Sequence, residues 1–284
     1  MQIVFLGSGN LATNLSLALK AAGEDIIQIF SRTKENAQAL ADKLHCDSCT
    51  SINDIRTDAD VYIFSVKDDA LPSLIEQLSV KFSSSLPTGE SGGKFDVDNI
   101  GVCARGPIFL HTAGSVPMSV FPSNIQTPPR GLSFGVLYPM QTFSKDRSVN
   151  FREIPCFVEA SDNATLGIIK EMASKISDNV VECSSDKRRK LHLAAVFACN
   201  MTNHCYRLAE KVLEEEGIDF SLYQPLIQET ANKVRELSPR KAQTGPMVRY
   251  DKTIMEAQIA LINDERTRQI YRLMADSIHE DSNK

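Results

Sequence analysis

Gln2-Ile3-Val4-Phe5-Leu6-Gly7-Ser8-Gly9-Asn10-Leu11-Ala12 is the stretch from which the fold can be read. Ile3 to Leu6 is a short apolar run closed by Gly7. Leu11, Leu15, Ala18, Leu19 and Ala22 then recur at helical spacing until Gly23. The turn between them, Gly7, Ser8, Gly9, Asn10, Leu11, Ala12, has the form G-x-G-x-x-A in the strand–turn–helix context that gives this pattern meaning. Gly7 permits a tight turn, Gly9 lets backbone approach a pyrophosphate, and Ala12 is small enough for the helix to lie close to its strand. The helix N-terminus then offers free N–H groups and the positive end of its dipole to an anion. A dinucleotide-binding unit is expected at the start of the chain.

Outward from this unit the alternation continues. Ile26–Phe30 and Val61–Val66 read as buried strands, and 35–44 and 71–78 as helices. Apolar runs at 108–110, 134–138, 156–158 and 180–183 extend the series to an expected seven or eight strands, mostly parallel. Ser83 to Gly106 is rich in Ser, Gly and Asp and reads as an exposed loop. After Ser184-Ser185-Asp186, which supplies N-cap chemistry, one helix is expected from Lys187 to Glu216, stopping at Gly217. Thirty residues make a rod of roughly 45 Å. Further helical pieces follow around Pro239 and Gly245-Pro246. The expectation is α/β: a Rossmann-type doubly wound domain over 1–183 and an all-helical domain over 184–284.

Composition narrows the function. A length of 284 residues suits two domains, and 42% hydrophobic with 24% charged residues is that of a globular protein. A net charge of −5, no Trp and 7% aromatics argue against a nucleic-acid partner, so any anion site must be local. No apolar run reaches membrane-spanning length, and no targeting segment precedes Gln2, which makes the cytoplasm the expected location. The seven cysteines are odd in number and irregularly spaced, as in a reducing compartment. Cys46-x-x-Cys49 lacks the second pair a zinc site needs, so no metal is expected.

The candidate site residues lie at the ends of the strands. An NAD enzyme places Asp or Glu after its second strand to take the ribose 2′-hydroxyl. Here Ser31-Arg32-Thr33 stands instead, a guanidinium between two hydroxyls suited to a 2′-phosphate, so NADP is the expected cofactor. Val66 is expected to line the cofactor, and Lys67 either holds a phosphate or carboxylate or is simply solvated. His111 and Ser115, in His111-Thr112-Ala113-Gly114-Ser115, fall where substrate would meet the nicotinamide. His111 is either a proton donor or a buried residue bonded to backbone.

The Gly7 turn, Ser31-Arg32-Thr33, Val66-Lys67-Asp68, His111 to Ser115, Tyr138-Pro139-Met140-Gln141-Thr142-Phe143-Ser144, His192-Leu193-Ala194-Ala195 with Asn200, and Thr244-Gly245-Pro246 occur in that order. With them the chain resembles, over nearly its whole length, the Rossmann-like NADP-binding proteins that carry a C-terminal domain of unknown function. These are relatives of pyrroline-5-carboxylate reductase, the F420-dependent NADP reductases, and the 6-phosphogluconate and hydroxyacid dehydrogenases. The resemblance implies an N-terminal NADP domain and a C-terminal domain like that of 6-phosphogluconate dehydrogenase. It also implies a homodimer in which the long helix helps form the active cleft. Gln141 joins His111 and Ser115 as a substrate candidate. Tyr250 stands where relatives are expected to carry Gly, so no role is carried over to Arg249 or Asp251.

In the related dehydrogenases the long helix presents a Lys or Asn to the substrate carbonyl. Here His192, Asn200, Asn203 and His204 are its polar positions. Spacings of 8 and 11 from His192 lie near whole turns, so His192, Asn200 and Asn203 could share a face. His192 as proton donor and Asn200 as carbonyl anchor are the catalytic candidates; the alternative is a polar seam fixing helix register in the dimer. Lys187-Arg188-Arg189-Lys190 reads as a solvated basic face. The expected activity is NADP-dependent hydride transfer to C=O or C=N in a small anionic metabolite. Pyrroline-5-carboxylate reduction and a non-catalytic NADP sensor are the alternatives.

Overall fold

The computed structural model describes residues 1–85, 106–122 and 132–283. The chain folds into two compact units, Met1–Phe197 and Ala198–Lys284. The first is built on one eight-stranded sheet. Its strands are β1 (Gln2–Leu6), β2 (Asp25–Phe30), β3 (Asp47–Cys49), β4 (Val61–Phe64), β5 (Ile108–His111), β6 (Ser133–Pro139), β7 (Cys156–Ala160) and β8 (Val180–Glu182). Their spatial order is β3-β2-β1-β4-β5-β6-β7-β8, parallel throughout except for the antiparallel pair β6–β7. The order reverses between β1 and β4, and in open α/β sheets the crevice beyond the strand carboxyl ends at such a switch point is where ligands bind.

Side chains alternate across the sheet and feed two cores. Ile3 and Phe5 of β1 join Leu110, Leu137, Val158, and Leu15 and Leu19 of α1 (Asn10–Ala21) on one face. Ile169 and Met172 of α4 (Asn163–Ser174) complete that layer. Val4 and Leu6 pack on the other face with Tyr62, Phe64 and Phe109, under Leu71, Leu74, Ile75 and Leu78 of α3 (Leu71–Ser85). Both faces are therefore covered, which is why the central strands read as continuous apolar runs rather than alternating ones.

Three local features depart from expectation. β3 is three residues long and half polar, so no apolar run announces it; it pairs with β2 after α2 (Lys34–Leu44). It takes up Cys49, and burial pushes the Cys46 and Cys49 thiols up to about 11, away from thiolate chemistry. The helix expected to end at Leu78 continues through Ser85, taking in the first residues of the loop expected over 83–106, and 86–105 lie outside the described residues. The long helix is not one α-helix: α5 (Ser185–Ala195) leads into a π-helical stretch, Val196–Met201, and then α6 (Thr202–Glu214).

A nucleotide-binding domain was expected over 1–183; the first compact unit runs to Phe197 and takes in α5, which Arg188 ties to the sheet. Arg188 is not part of a solvated basic face. Its side chain is 1% exposed, pairs with Glu159 of β7 and donates to the Val116 carbonyl at 2.6 Å. Ser185 donates to Glu159 at 2.7 Å and accepts from the Met118 N–H at 2.9 Å, so its hydroxyl serves this frame.

The second unit holds the end of the π-helical stretch, the whole of α6, α7 (Gln224–Glu236), α8 (Pro239–Ala242), α9 (Lys252–Ala260) and α10 (Glu265–Ser282). Leu213, Met255 and Ala275 are its buried apolar residues, whereas Leu222, Leu226, Leu261 and Leu273 are each at least 60% exposed. Tyr250, at φ 53°, stacks on His279 with centroids 4.2 Å apart. No helix among the described residues is long and apolar enough to cross a membrane.

Candidate functional site

The crevice at the switch point is a cavity of about 1560 Å³ within the first unit. That exceeds the ~300–1,000 Å³ of a pocket for a drug-sized ligand and leaves room for a dinucleotide with a second small molecule. At its centre is the turn between β1 and α1. Gly7 has φ +123°, and its N–H donates to the Phe30 carbonyl at 2.8 Å. A Cβ there would collide with the carbonyl of Ser65 beyond β4, so a side chain is excluded by conformation and by space alike. A Cβ on Gly9 would meet nothing within 4 Å. Gly9 caps α1 without a side-chain bond, and the first turn carries no acidic residue, so the helix N-terminus faces the cavity without a competing carboxylate. This is an open cradle of the kind a pyrophosphate fills.

Gly7, Ser8, Gly9, Asn10 and Leu11 line the cavity, while Ala12 is fully buried beneath it. Ser8 donates to Ser31 across the ends of β1 and β2 at 2.9 Å, which fixes the start of the Ser31-Arg32-Thr33 loop. Arg32 and Thr33 are exposed on the wall, and the Thr33 side chain makes no cap bond to α2. Asn36 on α2 and Lys145 after β6 also line this end, 3.4 Å apart, and the Ser144 carbonyl is held by the buried Asn14 at 2.9 Å. Neither Asn36 nor Lys145 carries a sequence signal, because each reaches the cavity only through a connection between strands. Val66 and the exposed Lys67 line the wall after β4.

The far end brings together Thr112, Ala113, Gly114, Tyr138, Gln141 and His192. His111 is fully buried and does not line the cavity. Its Nδ1 accepts from the Ala113 N–H at 3.2 Å, and its ring stacks on Phe121. Burial, with the positive Arg188 adding to it, lowers its pKa to about 3, so it is neutral at physiological pH. Ser115 bonds to Asp68, closing the rim between the loops after β4 and β5. Thr112 spends its hydroxyl on the Phe64 carbonyl and Ser65, both at 3.3 Å.

Tyr138 and His192 meet at this end: the phenol oxygen is 3.1 Å from His192 Nδ1. Burial raises the Tyr138 pKa and the nearby Arg188 opposes the rise. Tyr138 is a residue that sequence reading did not single out, although its place at the carboxyl end of a central strand was a usable signal. Asn200 lies in the π-helical stretch, within the second unit. The 3.6-residue count that aligned it with His192 does not carry across a π turn, which inserts extra residues per turn. Among the described residues no cluster of three or more His, Cys, Asp or Glu could hold a metal ion.

Comparison with known proteins adds sequence evidence. Residues 2–86 match the model of coenzyme F420-dependent NADP oxidoreductases, and residues 154–278 match a domain of unknown function, DUF2520. A Bacteroides fragilis protein named as a "putative NADP oxidoreductase" is 40% identical, with 98% of each chain covered and a TM-score of 0.84. A Thermotoga maritima protein is 19% identical over 99% of this chain and 100% of its own, with a TM-score of 0.72. An imine reductase from Myxococcus stipitatus, in complex with NADP+, is 16% identical over 99% and 92%, with a TM-score of 0.60. The last two show a shared fold. Among curated protein sequences nothing matches this chain.

Proposed function

This chain belongs to the NADP oxidoreductase family that includes the Bacteroides fragilis protein, and we propose that it transfers hydride between NADP(H) and a C=O or C=N group of a small, anionic metabolite. The observation that carries the reading is one continuous cavity running from the Gly7 turn to the Tyr138–His192 pair. The residues fit the cofactor. The open cradle at Gly9 and the α1 N-terminus suit the pyrophosphate, and Arg32 with Thr33, where an NAD site would carry a carboxylate, suits the 2′-phosphate. NADPH supplies hydride when bound. The protein supplies orientation along the cavity and a proton from its His192 end. Gln141 and Lys67 are the wall residues assigned to the substrate's polar groups, and Asn200 is retained as a carbonyl anchor for the assembled enzyme.

The assembly we propose is a homodimer through the helical unit. Among the described residues from Ala198 on, thirteen large apolar side chains stand exposed and two, Leu213 and Met255, are buried, which supports a second copy covering this unit. A reducing compartment, the cytoplasm, fits the free cysteines of the described residues. Purified protein mixed with NADPH and a panel of keto acids, imino acids and aldehydes, followed by nicotinamide absorbance together with cofactor binding, tests the activity. Tight NADPH binding without turnover on any compound would sink the enzymatic reading in favour of a sensor.

A further inference from the structure

We infer that Tyr138 is the group that protonates the substrate and that His192 resupplies its proton, so the bond reduced is one that must take up a proton with the hydride, a carbonyl or a neutral imine. The inference rests on the oxidoreductase reading above and names the acid of that same site.

Tyr138 is placed by three independent constraints. It sits near the carboxyl end of β6, where Pro139 closes the strand. Its ring stacks on Phe157 at 6.3 Å, within a cluster that includes Val136 and Cys183. Its hydroxyl meets His192 Nδ1 at 3.1 Å, and the two rings are edge to face at 70°. Gly114 makes room for this pair. A Cβ there would lie 2.6 Å from His192 Nδ1 and 2.8 Å from Tyr138 Cζ. Any other residue at 114 would push the two rings apart or out of the cavity.

His192 is held from below. Arg188 lies one helical turn earlier on the same face of α5, and its bonds to Glu159 and the Val116 carbonyl pin that turn to β7 and to the loop after β5. The side-chain hydroxyls of the loop after β5, and the imidazole of His111, are committed elsewhere. Thr112 bonds to Phe64 and Ser65, Ser115 bonds to Asp68, and His111 is enclosed. Burial raises the Tyr138 pKa, so the phenol is protonated at neutral pH and acts as an acid in the direction of reduction.

On a carbonyl, bound NADPH would supply the hydride to carbon and would itself be the group oxidised. As the C=O π pair moves to oxygen, the Tyr138 O–H bond breaks and its proton forms the alcohol O–H. His192 Nε2 takes a proton from solvent as the Nδ1–H bond breaks, so the Nδ1 proton returns to the phenolate without an imidazolate, and exchange with water resets the tautomer. One solvent proton is consumed. A neutral imine needs the same proton on nitrogen, whereas an iminium arrives already protonated and leaves the phenol–imidazole relay idle.

The test compares wild type, Tyr138→Phe and His192→Asn on ketones, keto acids, aldehydes and cyclic imines with NADPH. NADPH affinity is measured directly by nucleotide fluorescence, and the ¹⁵N ring signals of His192 are recorded in cofactor-free protein. Expected are turnover of a carbonyl or an imine by wild type and a fall in kcat of about 10²- to 10⁴-fold in Tyr138→Phe. KM and NADPH affinity should change little, and the Nδ1 signal of His192 should shift. His192→Asn, which can still hydrogen-bond the phenol but cannot relay a proton, should lower kcat at every pH. Turnover in Tyr138→Phe within tenfold of wild type on the same substrate, or an unmoved His192 signal, overturns the assignment and leaves the oxidoreductase reading standing. A wild type that binds NADPH and reduces nothing overturns both.

Discussion

Replacing Glu159 by glutamine removes the partner charge of a guanidinium that has no route to water. Arg188 is 1% exposed, and its ionic partner in the structure is Glu159, whose own side chain is 18% exposed. Two neutral acceptors remain, the Val116 carbonyl at 2.6 Å and Ser185 Oγ at 3.3 Å, and Nε has no hydrogen-bond partner. Breaking such a pair from one side strands a buried charge and costs about 3–5 kcal/mol. Exchanging both partners for apolar residues of similar size, Arg188→Met with Glu159→Leu, removes the charge together with its desolvation penalty and should be near neutral. The double variant is therefore expected to be more stable than Glu159→Gln alone. Urea unfolding of wild type, Glu159→Gln and the double variant, followed by circular dichroism, gives the comparison. A cost for Glu159→Gln below ~1 kcal/mol, the value of an exposed pair, would refute the claim that this frame is dry and that it anchors α5.

Gly7→Ala forces a side chain into positive φ and against the Ser65 carbonyl, so it should lose ~1–3 kcal/mol of stability and bind NADPH more weakly, both measurable by thermal unfolding with and without the nucleotide. Arg32→Asp should weaken NADPH far more than NADH in direct binding titrations; equal loss of both would remove Arg32 from the 2′-phosphate. His111 gives a signed pH effect. In the unfolded chain it takes up a proton near pH 6.5, whereas in the fold it stays neutral down to about 3, so stability falls as pH drops through that window by up to ~1.4 kcal/mol per unit. Urea midpoints between pH 7 and 4.5 should fall less steeply in His111→Phe, which keeps the stacking on Phe121.

Local chemistry made much of this molecule legible. The β1 turn and α1, the run of buried strands and the stop at Gly217 follow from periodicity, dihedral preference and capping, each of which acts over a few residues. The Gly7 turn and Arg32 could be placed at one end of the sheet because a parallel βαβ unit always brings its strand ends together. Other features depended on contacts between residues far apart in the chain. Arg188 looked like one of four solvated cations until Glu159, 29 residues earlier, and Val116, 72 earlier, were folded against it. Tyr138 and His192 are 54 residues apart, and nothing near either announces the other. The antiparallel turn of β6 against β7, the polar strand β3 and the π-helical stretch within the long helix were likewise settled in the folded molecule. Periodicity reports which face of an element is apolar. Which polar groups end up dry and paired is set by packing and desolvation, energies that exist only once distant segments have closed on one another.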